Sequence, residues 1–208
     1  MKQIPLILIF LLTTFLCFGQ KEHLEPVRSF IQYEVFKDLK EYYDNVFSKL
    51  HEGFSQTPYA RYTSIPSFSK EYAFSVEIID DKHYIISNSF SENFWYAKKR
   101  NNVKLINNKV EIDNTLYSKI GELFQILIDQ MKISENGIAG TDGTTYYFAT
   151  TNKNGKIKIG ETWSPNKGSL LNRLVIICNN LHLLGIGDNI NQTEIIVEIT
   201  QLINDLKK

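Results

Sequence analysis

The chain reads as an α+β domain: an antiparallel sheet of hairpins with about four helices packed on it. Three observations predict this. Apolar residues step by three and four along four separate stretches, the spacing of a helix that buries one face. Alternating, aromatic-rich stretches fall into two groups, 72–112 and 144–162, with one of those helices between them. Turn dipeptides, Asp80-Asp81 and Asn154-Gly155, join neighbouring strands within each group.

Taken in order, Val27, Phe30, Ile31, Val35, Leu39, Tyr42, Tyr43, Val46 and Leu50 predict a first helix over 26–50. Pro26 suits its first turn and Gly53 follows its end. Residues 54–70 are rich in Ser, Thr and Pro without a period, which predicts a long loop. Tyr72 to Ile78 and His83 to Ser87 form a hairpin about Asp80-Asp81. Phe94 to Ala97 and Val103 to Ile112 read as further strands, the second bent at Asn107-Asn108.

Asp113 or Asn114 caps a second helix carrying Leu116, Ile120, Leu123, Phe124, Leu127, Ile128 and Met131, with Asn136-Gly137 ending that element. Thr144 to Thr151 and Lys156 to Thr162 make a second hairpin about Asn154-Gly155. Ser169 caps a third helix that Gly185 stops. Asn191, with Glu194 three residues on, starts a fourth.

The N-terminus has the order of a secretory signal. One charge, Lys2, precedes an apolar run from Ile4 to Phe18, and Cys17 and Gly19 stand where a signal peptidase requires small residues. Cleavage is expected after Gly19, leaving one domain over 20–208 in the periplasm or outside the cell. The apolar run is short of the about 20 residues a retained span needs, so no membrane span is expected after cleavage. A lipid-anchored form through Cys17 is the other possibility, and Phe15-Leu16 before it fits that motif poorly.

Basic and acidic residues balance at 23 each, so no cationic surplus exists to neutralise phosphates and nucleic acid is not an expected partner. Lys98-Lys99-Arg100, the densest cationic run, reads as a solvated turn. Cys178 alone would remain after cleavage, in an apolar run where it reads as a small buried side chain. His23, His51, His83 and His182 lack zinc spacing, so neither metal nor cofactor is expected. Gly-x-Ser-x-Gly is absent. Gly185-Ile186-Gly187-Asp188 follows a helix and reads as a helix stop, and Asp80-Asp81 as turn residues, so no catalytic residue is assigned. Asn191-Gln192-Thr193 fits a glycosylation acceptor, against which stands the capping role of Asn191.

The most distinctive stretch runs from Gly140 to Pro165. Asp142-Gly143-Thr144-Thr145-Tyr146, the hairpin, Trp163-Ser164-Pro165 and the following helix resemble a pattern in uncharacterised exported bacterial proteins. The resemblance covers that hairpin and helix, implies shared architecture, and carries no activity. Asp142, Tyr146 and Trp163 are the candidate binding residues: an acceptor beside two aromatic surfaces. The structural reading of the same residues is a turn acceptor, Asp142, and a core aromatic, Trp163, beneath the next helix. The function expected is a non-catalytic exported domain that binds a protein or a cell-envelope component, an immunity or inhibitor protein being one form. The alternative is an exported hydrolase with a dispersed site.

Overall fold

A computed structural model describes residues 23–27, 37–133 and 142–208. The expected export segment, Asn136-Gly137 and Gly140 lie outside them. The described strands are β1 (Glu25–Pro26), β2 (Ala60–Pro66), β3 (Tyr72–Ile79), β4 (Lys82–Phe90), β5 (Leu105–Ile112), β6 (Thr144–Thr151) and β7 (Ile157–Trp163). The described helices are α1 (Lys37–Leu50), α2 (Asn114–Asp129), α3 (Leu170–Gly185) and α4 (Gln192–Leu206). The strands form one antiparallel sheet in the order β1-β7-β6-β2-β3-β4-β5. The fold is therefore α+β, with β2 to β5 as a meander and the β6–β7 hairpin returned by α2 to the far side of β2.

Local chemistry sets most element ends as expected. Asp80 and Asp81 adopt left-handed φ values of 50° and 62°, which twist the β3–β4 turn to match its strands. Asn152 Oδ1 accepts from the N–H groups of Asn154 and Lys156, and Gly155 takes φ 71° to close the β6–β7 loop. Asp113 is the cap of α2, accepting from Leu116 N–H at 2.7 Å. Ser169 caps α3 through Asn172 N–H at 3.1 Å, and Asn191 caps α4 through Thr193 N–H at 2.9 Å. The Asn191 amide meets the Glu194 carboxylate at 3.3 Å, a side-chain version of the capping box.

Five expectations need correction. Helix α2 stops at Asp129 with Gln130 as its cap, so Met131 lies outside the helix. Pro26 does not open a helix: it pairs with Gly160 at the sheet edge, where a residue without an N–H is tolerated. The long loop holds a strand, β2, bonded to β3 on one side and β6 on the other. Its sequence, Ala-Arg-Tyr-Thr-Ser-Ile-Pro, lacks apolar alternation because Thr63 and Ser64 are buried beside the aromatics. Phe94 to Ala97 is a turn region: Phe94 is buried and its N–H donates to the Glu71 carboxylate rather than to a ladder. Finally, β5 is unbent, for Asn107 and Asn108 pair in register with Asn88 and Ser87. The Asn107 amide donates to Asn88 Oδ1 at 2.6 Å, which keeps the polar pair in the ladder.

Among the described residues the sheet's two faces are covered unequally. On one face α2, α3 and α4 close over Tyr62, Phe74, Val76, Ile85 and Phe148. Each such side chain contributes about 1.5–3 kcal/mol on burial. Gly185 lets α3 approach β4 closely, since a Cβ there would lie 2.1 Å from Ser87 Oγ. On the other face, Tyr42, Val46 and Leu50 of α1 pack on Ile65, Ala73, Ile86, Phe90 and Tyr147. A seven-stranded sheet is roughly 29 Å wide at ~4.8 Å per strand, against ~10 Å for one helix. Among the described residues α1 therefore leaves Ile157 and Ile159 of β7 exposed, 48% and 38%.

Candidate functional site

The expected binding trio does not converge. Asp142 is exposed at the entry to β6. Tyr146 stacks on Tyr62 at 5.9 Å and packs against the three-helix core. Trp163 pairs with Thr145, one residue out of phase with the Tyr146–Thr162 pair. Side chains alternate along a strand, so Trp163 lies on the α1 face and Tyr146 on the other. The Trp163 ring covers Gly143, where a Cβ would come within 2.8 Å of it, and does not lie beneath α3.

A different aromatic surface lies at the same end of the sheet. The β2–β3 loop, from Ser67 to Lys70, and the β4–β5 loop, from Ser91 to Lys104, sit side by side there. Their anchor is Glu71, fully buried. One of its carboxylate oxygens accepts from Tyr42 Oη–H at 2.6 Å and the other from Phe94 N–H at 2.9 Å. Burial, and then the Glu71 charge, push the Tyr42 hydroxyl far above its usual range, so it stays a donor. Phe94 stacks on Phe90 at 5.1 Å, which fixes the start of the β4–β5 loop. Asn93 ties the loops together, donating to Ser69 O at 2.6 Å and accepting from Tyr96 N–H at 3.0 Å.

This framework holds three large aromatics outward. Phe68 is 69% exposed, Tyr96 59% and Trp95 38%. Phe68 and Tyr96 stack across the two loops at 6.4 Å and 11°. Trp95 stands edge-on to Tyr42 at 4.9 Å, and the Arg100 guanidinium lies 5.3 Å from its ring centre. Lys70, Lys98, Lys99 and Lys104 are exposed around them, against one exposed carboxylate in the same loops, Glu92. Sequence reasoning missed this surface because Phe68 sat in a Ser-rich loop and Trp95-Tyr96 resembled a strand. Large aromatics beside a cationic run were the signal available.

The second concavity is a cleft of about 480 Å³ on the α1 face, over β2, β6 and β7. Tyr43, Phe47 and Tyr147 wall it, with Ile157 and Ile159 at the β7 side. Arg61, His51 and Thr63 form its polar floor. His51 Nε2 and Thr63 Oγ1 are 2.9 Å apart. Burial, and then the neighbouring Arg61 charge, push the His51 imidazole down to about 3, so it is neutral at ordinary pH. Arg61 was hidden from sequence reasoning inside the strand read as a loop.

The remaining sequence candidates have structural places. His83 stacks on Tyr117 at 3.9 Å. His182 is buried against Tyr72, and burial pushes it down to about 4. Cys178 is fully buried among apolar side chains, which raises its thiol well above the usual range. Among the described residues no three His, Cys, Asp or Glu side chains cluster to hold a metal, and no helix is long and apolar enough to cross a membrane. Comparison with family models, curated proteins and solved structures finds no match to this chain.

Proposed function

We propose that the chain is an exported, non-catalytic binding domain that docks on an anionic lipid surface of the cell envelope through Phe68, Trp95 and Tyr96. The observation that carries this reading is three exposed aromatics ringed by cations on one rigid loop pair, in a chain with no net charge. Aromatic rings favour the headgroup level of a bilayer, where an apolar body and a polar edge are both satisfied. Each Lys or Arg near an anionic surface adds about 1 kcal/mol at ordinary ionic strength. The Glu71 anchor pre-orders both loops, so little conformational freedom is lost on docking. Export rests on the Lys2 to Gly19 pattern.

The hydrolase alternative has one observation in its favour, the His51–Thr63 contact in a cleft. Two others count against it. Thr63 is 2% exposed, out of reach of a substrate carbonyl. An imidazole held near 3 is too weak a base to take a hydroxyl proton at neutral pH.

Co-sedimentation with vesicles tests the docking reading. Vesicles containing phosphatidylglycerol should retain the protein, and pure phosphatidylcholine should retain several-fold less. Raising the salt concentration should weaken the former. The double variant Phe68→Ser, Tyr96→Ser should lose most of the retention while its circular dichroism stays unchanged. Equal retention on both vesicle types, or by the double variant, would contradict the proposal.

A further inference from the structure

The cleft between α1 and strands β2, β6 and β7 stands apart from the loop surface and has its own chemistry. We propose that it binds a small organic monocarboxylate with a flat apolar body, held by Arg61 at the floor and by Phe47, Tyr147, Ile157 and Ile159 around it. Its volume of about 480 Å³ lies within the range of small-molecule sites, about 300–1,000 Å³.

The case begins with Arg61. Its place on the sheet face withdraws the guanidinium from bulk water, and the side chain is fixed on both sides. Nη2 donates to Ser55 O, and the guanidinium lies 5.3 Å from the Phe54 ring centre. Nε is buried and, among the described residues, has no hydrogen-bond partner. Among the described residues no carboxylate comes within ion-pairing distance of it. Glu77 is the acid whose field reaches Arg61, and its Oε1 is occupied by Ser55 N–H at 3.0 Å and the Ser75 hydroxyl at 2.5 Å. A fixed, partly desolvated guanidinium that lines the cleft favours a planar carboxylate, which matches its fork.

The charge of the site selects a monoanion. His51 is neutral, for the reasons given above, and adds no second cation. Asp44 on the rim is paired with Lys40 at 2.8 Å. Among the described residues that line the cleft Arg61 is therefore the one cation, and a dianionic phosphate would carry one charge without a partner. The neutral His51 ring, held to Thr63 at 2.9 Å, lines the floor beside it. The walls select the body. Phe47 and Tyr147 meet edge to face at 5.2 Å, making an apolar corner, and a flat ligand resting there would cover Ile157 and Ile159.

Calorimetric titration of the purified protein with benzoate, benzamide and phenyl phosphate tests this. Benzoate should bind saturably. Benzamide, the same shape without the charge, should bind at least about tenfold more weakly, and phenyl phosphate should also bind more weakly. Arg61→Gln should weaken benzoate by about tenfold or more, while Tyr96→Ser, on the distant loops, should leave it unchanged. Benzamide equal to benzoate, phosphate preferred over carboxylate, or no saturation by benzoate at about 10 mM would each overturn the assignment. The comparison of the three ligands needs only the wild type, so it stands even where Arg61→Gln does not fold. Loss of benzoate binding would leave vesicle docking intact, and the reverse also holds.

Discussion

On one face of the sheet three helices bury Tyr62, Phe74 and Phe148. On the other, among the described residues, one helix, α1, covers Ile65, Ala73 and Ile86 and stops short of Ile157 and Ile159. On the sealed face the hydroxyls of Tyr62 and Tyr72 both donate to Asn179 Oδ1, at 2.9 and 2.7 Å, and among the described residues His182 Nδ1 is buried without a partner. The thinly covered face likewise holds an unpartnered Arg61 Nε among the described residues, and it is there that the cleft lies. Tyr42 of the same helix braces the loops that present Phe68, Trp95 and Tyr96. The three-helix side holds the larger core, and both proposed binding surfaces lie on the α1 side and its adjoining loops.

The largest expected effect tests that division directly. Phe148→Ala removes a fully buried ring that touches Tyr62 and Phe124, and should cost about 3–5 kcal/mol in urea unfolding. Ile157→Ala, on the open side, should stay within about 0.5 kcal/mol. Similar costs at the two positions would erase the contrast.

Acid comes next, because each face holds a buried neutral histidine. His182 packs against the Tyr72 ring near the Ala73 backbone and Asp188, and His51 against Thr63 and Arg61. Their folded-state values, about 4 and about 3, lie below the ordinary 6.5. The unfolded chain therefore takes up protons first as pH falls. Stability present above about pH 6.5 should be lost progressively toward pH 4 and below, by a few kcal/mol in total as an order of magnitude. Melting temperature followed from pH 8 to pH 4 measures this. His51→Gln should flatten the curve without removing the His182 part.

A smaller effect probes how closely α3 sits on β4. Gly185→Ala places a methyl against Ser87 Oγ and Ile85 Cγ2, and should cost about 1–3 kcal/mol by forcing the helix outward. The smallest lies at the loop surface, where Phe68→Ser should change stability by less than about 0.5 kcal/mol, because the ring is 69% exposed.

What the sequence disclosed follows the range of the forces involved. The caps Asp113, Ser169 and Asn191 and the turns at Asp80-Asp81 and Gly155 were legible, since each rests on bonds between residues a few positions apart. Strand β2 was not, because its place at the centre comes from ladders to β3 and β6, and its buried Thr63 and Ser64 mimic a loop composition. The position of β6 beside β2 likewise depends on a crossover that no local pattern encodes. For the site, Asp142, Tyr146 and Trp163 were grouped because they share one hairpin. A two-residue turn at Asn154-Gly155 would put Tyr146 opposite Trp163, but the longer loop from Asn152 to Lys156 shifts the register by one residue and separates them. Arg61 was lost with its strand, and Phe68 with its loop.

Fluorescence of Trp95 gives the most direct test of the docking proposal. Trp163→Phe leaves Trp95 as the only tryptophan, at the centre of the loop surface. Titrating that variant with phosphatidylglycerol vesicles should shift its emission to the blue, and lipids brominated near the headgroup should quench it. An emission spectrum unchanged by these vesicles, from a protein that is folded by circular dichroism, would contradict the account.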